Sequence, residues 1–179
     1  MRDAPPVLET ERLRLRPLSP DDAEALHPML ADAELMTWWS SGPHASLEET
    51  RDYLRPVPEW RHWAITRRGD DSALGWVAAG AKRSGVIEVG YILGRVHWGQ
   101  GIAREAVTRL LDHLFFEEGQ RRVIADTDPE NRASRALLES LGFTLEGILR
   151  AEWETHIGVR DTALYGLLRD EWAARSTRR

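Results

Sequence analysis

The sequence predicts an α+β fold: a mixed, mostly antiparallel sheet of about seven strands flanked by about four helices. Three observations lead there. Between Trp60 and Leu93 the chain carries three β-patterned runs joined by short polar turns, which reads as an antiparallel meander. From Glu88 to Thr127 a strand, a glycine turn, an amphipathic helix and a second strand follow one another, and a helical crossover makes two such strands parallel. A short helix and two more β-patterned runs close the chain. The 179 residues read as a single domain, 1–179, long enough to bury a sizeable core.

Each element has its own signal. Glu11–Pro17 alternates polar and apolar with period two, so Leu13 and Leu15 face inward; Pro17 ends the strand or marks an edge. Ser19 is an N-cap, Pro20 takes the first helical position, and Asp21 and Asp22 fill the first turn. Ala23, Leu26, Met29 and Leu30 give that helix its apolar face. Glu34 to His44 is irregular. Its adjacent Trp38 and Trp39 point different ways on any regular element, so one can line a pocket, or both can be core.

Ser46-Leu47-Glu48-Glu49 is a capping-box pattern opening a helix to Leu54, which Pro56 and Pro58 stop. Trp60–Arg67 and Ala73–Lys82 are strands across the turn Arg68–Asp71, and Arg83–Gly85 returns the chain into Glu88–Leu93. After the long helix, Arg121–Thr127 is a strand, and Asp128–Asn131 opens the helix Arg132–Leu141, with Gly142 as its C-terminal cap. Phe143–Glu152 and Thr162–Leu168 read as closing strands, with Trp153–Arg160 a connecting loop. The tail Ser176–Arg179 reads as frayed.

Composition excludes several functions. There is no cysteine, hence no disulfide, thiolate nucleophile or cysteine metal site. A net charge of −5 argues against nonspecific nucleic-acid binding and is compatible with a cationic substrate. No apolar run approaches the ~20 residues of a membrane span. Met1–Pro6 lacks the apolar core of a signal peptide, so the expectation is a cytoplasmic protein with no membrane and no nucleic-acid partner.

The chain is organised around Glu88–Phe116. Gly99 and Gly101 let backbone amides approach an anion, and the helix opening at Ile102-Ala103 offers unpaired amides and a favourable dipole. The P-loop does not fit, because it needs Gly-Lys-Ser/Thr and here the helix opens Gly101-Ile102-Ala103. Nor does the dinucleotide fingerprint, whose third Gly or Ala position is Arg104.

Glu88-Val89-Gly90-Tyr91 followed by His97-Trp98-Gly99-Gln100-Gly101-Ile102-Ala103-Arg104-Glu105-Ala106 resembles the acetyl-CoA motif of the GNAT superfamily, and more narrowly its RimJ/RimL-type N-acetyltransferases. Leu8–Leu13, Asn131-Arg132-Ala133-Ser134, Leu141-Gly142-Phe143, Glu146–Arg150 and Asp161–Leu168 with Glu171-Trp172 resemble the family's other blocks, in order. The resemblance implies a GNAT-like sheet whose splayed parallel strand pair holds the cofactor. It implies an acyltransferase using acetyl-CoA as cosubstrate, without metal, by direct transfer to a primary amine in a ternary complex. The acceptor is a protein or peptide N-terminal α-amino group, or a small amine such as an aminoglycoside, polyamine or amino-acid-like metabolite. A non-catalytic acetyl-CoA-binding regulator is the third alternative. The family includes monomers and homodimers.

Residue by residue, the resemblance implies a pyrophosphate cradle from Trp98, Gly99, Gln100, Gly101, Ile102, Ala103 and Arg104, with Arg95 as a further cation. The pantetheine arm pairs with backbone groups of Tyr91, Ile92 and Leu93 and meets Asn131, which is equally well placed as a helix N-cap. Ser134, on the same helix face as Asn131, is the acid for the leaving thiolate, with Tyr165 in reserve. Glu88 is the expected base: it faces the same way as Gly90 and Ile92, and burial would raise its pKa. It also fits a surface-facing strand start. His97 and His156 are alternative bases. Acceptor selection falls to Trp38, Trp39 and His44 and to the Trp153–Arg160 segment, with Glu34, Glu152 and Glu154 placed to attract a cation.

Overall fold

The computed structural model describes residues 4–177. Met1–Asp3, the start of the segment expected to lack a signal peptide, and Arg178–Arg179 of the tail lie outside the described residues. Among the described residues eight strands make one sheet: β1 (Leu8–Glu9), β2 (Leu13–Pro17), β3 (Trp60–Arg67), β4 (Asp70–Arg83), β5 (Val86–Leu93), β6 (Arg122–Thr127), β7 (Thr144–Thr155) and β8 (Gly158–Leu168). Their order is β1-β2-β3-β4-β5-β6-β8-β7. Every neighbour pair is antiparallel except β5 and β6.

The helices are α1 (Ala23–Leu30), α2 (Ala33–Met36), α3 (Leu47–Tyr53), α4 (Ile102–Asp112), α5 (Arg132–Leu141) and α6 (Arg169–Ser176). They lie on both faces of the sheet. Leu26, Met36 and Leu54 pack with Ala64, Trp76 and Ile92 on one side. Leu110, Leu138 and Trp172 pack with Trp63, Val77, Val89 and Tyr165 on the other. The caps form where the sequence puts them: Ser19 accepts from the Asp21 N–H at 3.2 Å and Ser46 from the Glu49 N–H at 3.1 Å. The Glu49 carboxylate bonds the Ala45 N–H at 2.7 Å instead of closing the box on Ser46.

The described residues hold more elements than the pattern predicts, for local reasons. β1 is a two-residue edge strand, too short for periodicity. α2 is a single turn capped by Asp32, which accepts from the Glu34 N–H at 3.0 Å. α6 buries only Trp172, so it carries no apolar repeat, and it absorbs Ser176 from the expected frayed tail. Trp153–Arg160 is not a loop. β7 continues to Thr155, turns at His156-Ile157 and returns as β8. This hairpin hides in the sequence because most of it is exposed and a bulge breaks its register between Leu149 and Trp153. At the bulge Ala151 sits at φ 50, its N–H held by Asp161 Oδ1 at 2.8 Å.

β5 and β6 pair only through Val86↔Arg122, Ile87↔Val123 and Glu88↔Ile124. Val89–Leu93 then run on along β4 while Ala125–Thr127 run on along β8. A wedge opens in the middle of the sheet.

Candidate active site

The wedge leads into a cavity of ≈ 760 Å³ that reaches both faces of the sheet. Its open edge on β5 follows from ladder chemistry. Trp98 Nε1 donates to the Leu93 carbonyl at 2.8 Å, and the Gly94 N–H bonds Leu74 on β4 at 3.0 Å. Antiparallel residues alternate in direction, so Leu93, Tyr91 and Val89 turn their backbone groups toward the wedge, while Ile92 turns its own toward Trp76 on β4. Of the three residues expected to offer backbone partners, Tyr91 and Leu93 do so, and Trp98 already takes the Leu93 carbonyl. Ile92 contributes its side chain to the cavity wall.

The glycine turn closes one end. Gly99 (φ 74) and Gly101 (φ 75) are left-handed, and Gly101 caps α4 without any side-chain bond, leaving the first helix amides free for an anion. Trp98, Gly99, Gly101, Ile102, Ala103 and Arg104 all line the cavity. Gln100 does not: its side chain accepts from Arg67 Nη2 at 3.0 Å and donates to the Val96 carbonyl at 3.2 Å. Arg95 is also committed elsewhere, to Asp32 at 2.5 Å and Glu34 at 2.7 Å. The turn is braced from behind by Arg12, which bonds the Gln100 carbonyl at 3.1 Å and pairs with Glu105 at 2.5 Å. Glu105 also accepts from the Thr10 hydroxyl at 2.5 Å, tying the β1–β2 turn to the first turn of α4.

On the α4–α6 side of the wedge stands a hydroxyl pair. Asn131 caps α5 by accepting from the Ser134 N–H at 3.1 Å, while remaining part of the cavity wall. Ser134 Oγ lies 2.9 Å from the Tyr91 hydroxyl, which also reaches the Ser134 carbonyl at 3.3 Å. Burial pushes the Tyr91 phenol up to about 12, so it keeps its proton at neutral pH. Sequence reasoning found Ser134 and valued Tyr91 only for its backbone. Tyr165, the reserve acid, is fully buried outside the cavity wall and tied to Arg135 Nε at 3.0 Å and Glu139 Oε1 at 2.8 Å. Its phenol braces α5 against β8.

On the α1–α3 side stands a carboxyl pair. Ile92 belongs to that side's core, so Glu88, four residues earlier on the same strand, shares its face. Glu88 lines the cavity with its side chain 13% exposed, which excludes the surface-facing alternative. Lys82 Nζ approaches it at 2.6 Å. Burial nonetheless pushes the Glu88 carboxyl above its ordinary range, and the neighbouring Asp126 carboxylate acts in the same direction. Asp126, at the end of β6, went unnoticed in the sequence. It accepts from Trp153 Nε1 at 2.9 Å and the Thr162 hydroxyl at 3.2 Å, and it too lines the cavity.

Trp38 and Trp39 both line the cavity, and Trp39 also packs edge-on to Trp76 at 6.0 Å. His97 lines the glycine end, where burial lowers its pKa. Five expected contributors do not reach the cavity. His44 is buried against Thr50 at 2.9 Å, His156 packs on Gly42, and Glu34 pairs with Arg95. Glu152 and Glu154 are exposed on β7 and stand outside the wall, whereas Trp153, Thr155 and Arg160 of the same hairpin line it.

Comparison with known proteins gives a consistent result. The family described as "Acetyltransferase (GNAT) domain" matches residues 12–144. The uncharacterized N-acetyltransferase p20 of Bacillus licheniformis is 32% identical over 175 residues, covering 93% of this chain and 98% of that protein. A GCN5-related N-acetyltransferase from Brucella melitensis superposes with a TM-score of 0.88 at 26% identity, covering 98% of this chain and 85% of the other. RimL, a ribosomal L7/L12 alpha-N-protein acetyltransferase, shares the fold with a TM-score of 0.79 at 22% identity, over 91% of this chain and 94% of its own.

Proposed function

The chain belongs to the GNAT acetyltransferases and is an N-acetyltransferase, and on that premise we propose that it moves an acetyl group from acetyl-CoA to the α-amino group of a protein or peptide chain. One observation carries this reading: a single wedge has a hydroxyl pair on one face, a carboxyl pair on the other and free helix amides at its end. Acetyl-CoA, when bound, supplies an acyl thioester. The amides from Gly101 to Ala103, with Arg104 beside them, suit its pyrophosphate, and Tyr91 and Asn131 suit its amide-bearing arm.

The protein's own groups do the proton work. Glu88 takes a proton from the incoming ammonium, and its raised pKa makes it a stronger base than an ordinary carboxylate. Asp126 adds negative charge that draws the cation to that face. Ser134 Oγ, held by the Tyr91 hydroxyl, gives its proton to the leaving sulfur and regains one from the nitrogen being acylated. Nothing in this scheme needs a covalent enzyme intermediate, in keeping with a chain that has no cysteine.

An α-amino group suits a carboxyl base. Its pKa of about 7.7–8.0 lies well below the ~10.4 of an alkylamine, so less work is asked of Glu88. The intact Glu88, Tyr91 and Ser134 set disfavours a purely sensory role. The test is a panel of peptides with varied N-termini, lysine side chains and small amines, followed by thiol release and product mass. Transfer to peptide α-amino groups is expected. Preference for a polyamine or a lysine side chain over every free N-terminus would refute the acceptor assignment.

A further inference from the structure

Beside the main cleft, between the end of α3 and strands β3 and β4, lies a smaller cavity of ≈ 150 Å³. Leu18, Trp39, Leu54, Val57, His62 and Trp76 form most of its wall. Trp39, Val57, His62 and Trp76 also line the main cleft, so the two spaces share their aromatic wall. Polar groups there are engaged with one another: Trp39 Nε1 donates to the Tyr53 hydroxyl at 2.7 Å, and Arg55 pairs with Asp52 at 2.7 Å. Burial lowers the His62 pKa, leaving a neutral imidazole. An apolar cavity of about 150 Å³ holds one benzene ring.

Strand register ties this cavity to Glu88. One row across the sheet reads Trp60–Gly80–Glu88 and the next reads His62–Ala78–Gly90. Trp60 lies across Gly80, where a Cβ would meet its ring at 2.7 Å, and so forms a wall. Ala78 and Gly90 leave the adjoining row low, and a Cβ on Gly90 would touch nothing within 4 Å. A trough of small residues thus runs from Glu88 to the side cavity, about 10 Å across two strand spacings. A two- or three-carbon arm from the amine reaches along this trough.

We propose that the acceptor carries a phenyl-sized apolar group beside its amine, and that this group occupies the side cavity while the amine meets Glu88. The proposal rests on reading the cleft as an amine-acetylating site. Two sources share this chemistry: a peptide whose first residue is aromatic, and a free arylalkylamine.

The experiment uses the full chain, acetyl-CoA, and peptides differing only in a first residue of Phe, Leu, Ala or Ser, beside 2-phenylethylamine and ethylamine. The ring-bearing member should exceed its small counterpart at least about tenfold in kcat/KM. Val57, 43% exposed at the rim, allows the cavity to be filled by Val57→Trp with little risk to folding. That variant should bring the ring-to-small ratio toward one. Preference for the peptide pair or for the free-amine pair identifies the source, and either supports the proposal. Equal use of Ala- or Ser-first peptides, or a ratio that Val57→Trp leaves unchanged, overturns the side-cavity assignment while amine acetylation stands. Absence of transfer to every amine overturns the cleft reading and this inference with it.

Discussion

Gly101→Ala separates the anion cradle from mere backbone strain. Gly101 sits at φ 75, where an L-residue costs roughly 1–2 kcal/mol. The added Cβ would lie 3.4 Å from Arg12 Nη2, the far end of a flexible side chain, so sterics within the protein add little. Total stability of about 5–15 kcal/mol survives that loss. For a chain of this size the expected fall in Tm is about 2–8 °C. Binding should suffer more. Holding an L-residue at this φ shifts the left-handed turn that aims the α4 amides, and losing even one charge-assisted hydrogen bond of about 1.5–3 kcal/mol weakens Kd at least about tenfold. Gly69→Ala is the matched control. It has φ 84, nothing within 4 Å of its Cβ, and a place in the β3–β4 turn. Thermal melts and calorimetry with acetyl-CoA measure both quantities. Similar Tm losses with weakened binding only in Gly101→Ala is the expected result. An unchanged Kd for Gly101→Ala would refute the cradle.

Three further variants test the proton path and the reserve candidate for it. Glu88→Gln should lower kcat/KM by about 10²–10⁴-fold and remove the limb of the pH profile that rises as the carboxyl ionises. Because the folded-state pKa is raised, the stability Glu88 contributes is present below the unfolded carboxylate range and lost as pH rises through the folded value. The Tm of Glu88→Gln should therefore gain on that of wild type between acid and neutral pH. Ser134→Ala and Tyr165→Phe should behave oppositely. The first should lower kcat about 10²-fold with little change in Tm. The second removes a buried hydroxyl with two partners and should cost about 1–3 kcal/mol, seen as a lower Tm with kcat intact. A Tyr165→Phe enzyme that melts normally but turns over slowly would reinstate Tyr165 in the chemistry.

What was legible in the sequence was whatever depends on neighbours along the chain. The meander, the serine caps, the glycine turn and the side of β5 that Glu88 faces all follow from spacing. What depends on distant packing was not legible. Tyr91 lies on the opposite face of β5 from Glu88, and only the docking of α5 brings Ser134 to its hydroxyl. Asp126 resembles any acid at a strand end until β8 and the β7 hairpin bring Thr162 and Trp153 to it. Tyr165 has the sequence marks of a catalytic phenol, yet its strand turns it into the core under α5. α6 rests on one tryptophan, too little for any periodic signal.

The strand order has a consequence for biosynthesis. β8 is the last of the described strands to leave the ribosome, yet it lies inside the sheet, between β6 and β7. Until it emerges, β6 has a bare edge along Arg122–Thr127, and Thr162 is missing from beside Asp126. A chain clipped before β8 keeps the glycine turn, its Arg12 brace and both edges of the wedge, but β6 loses the neighbour that supports its edge. A truncated chain therefore keeps both carboxyl groups but lacks the Thr162 and Trp153 partners that hold Asp126, so the proposed site is completed only when β8 is in place.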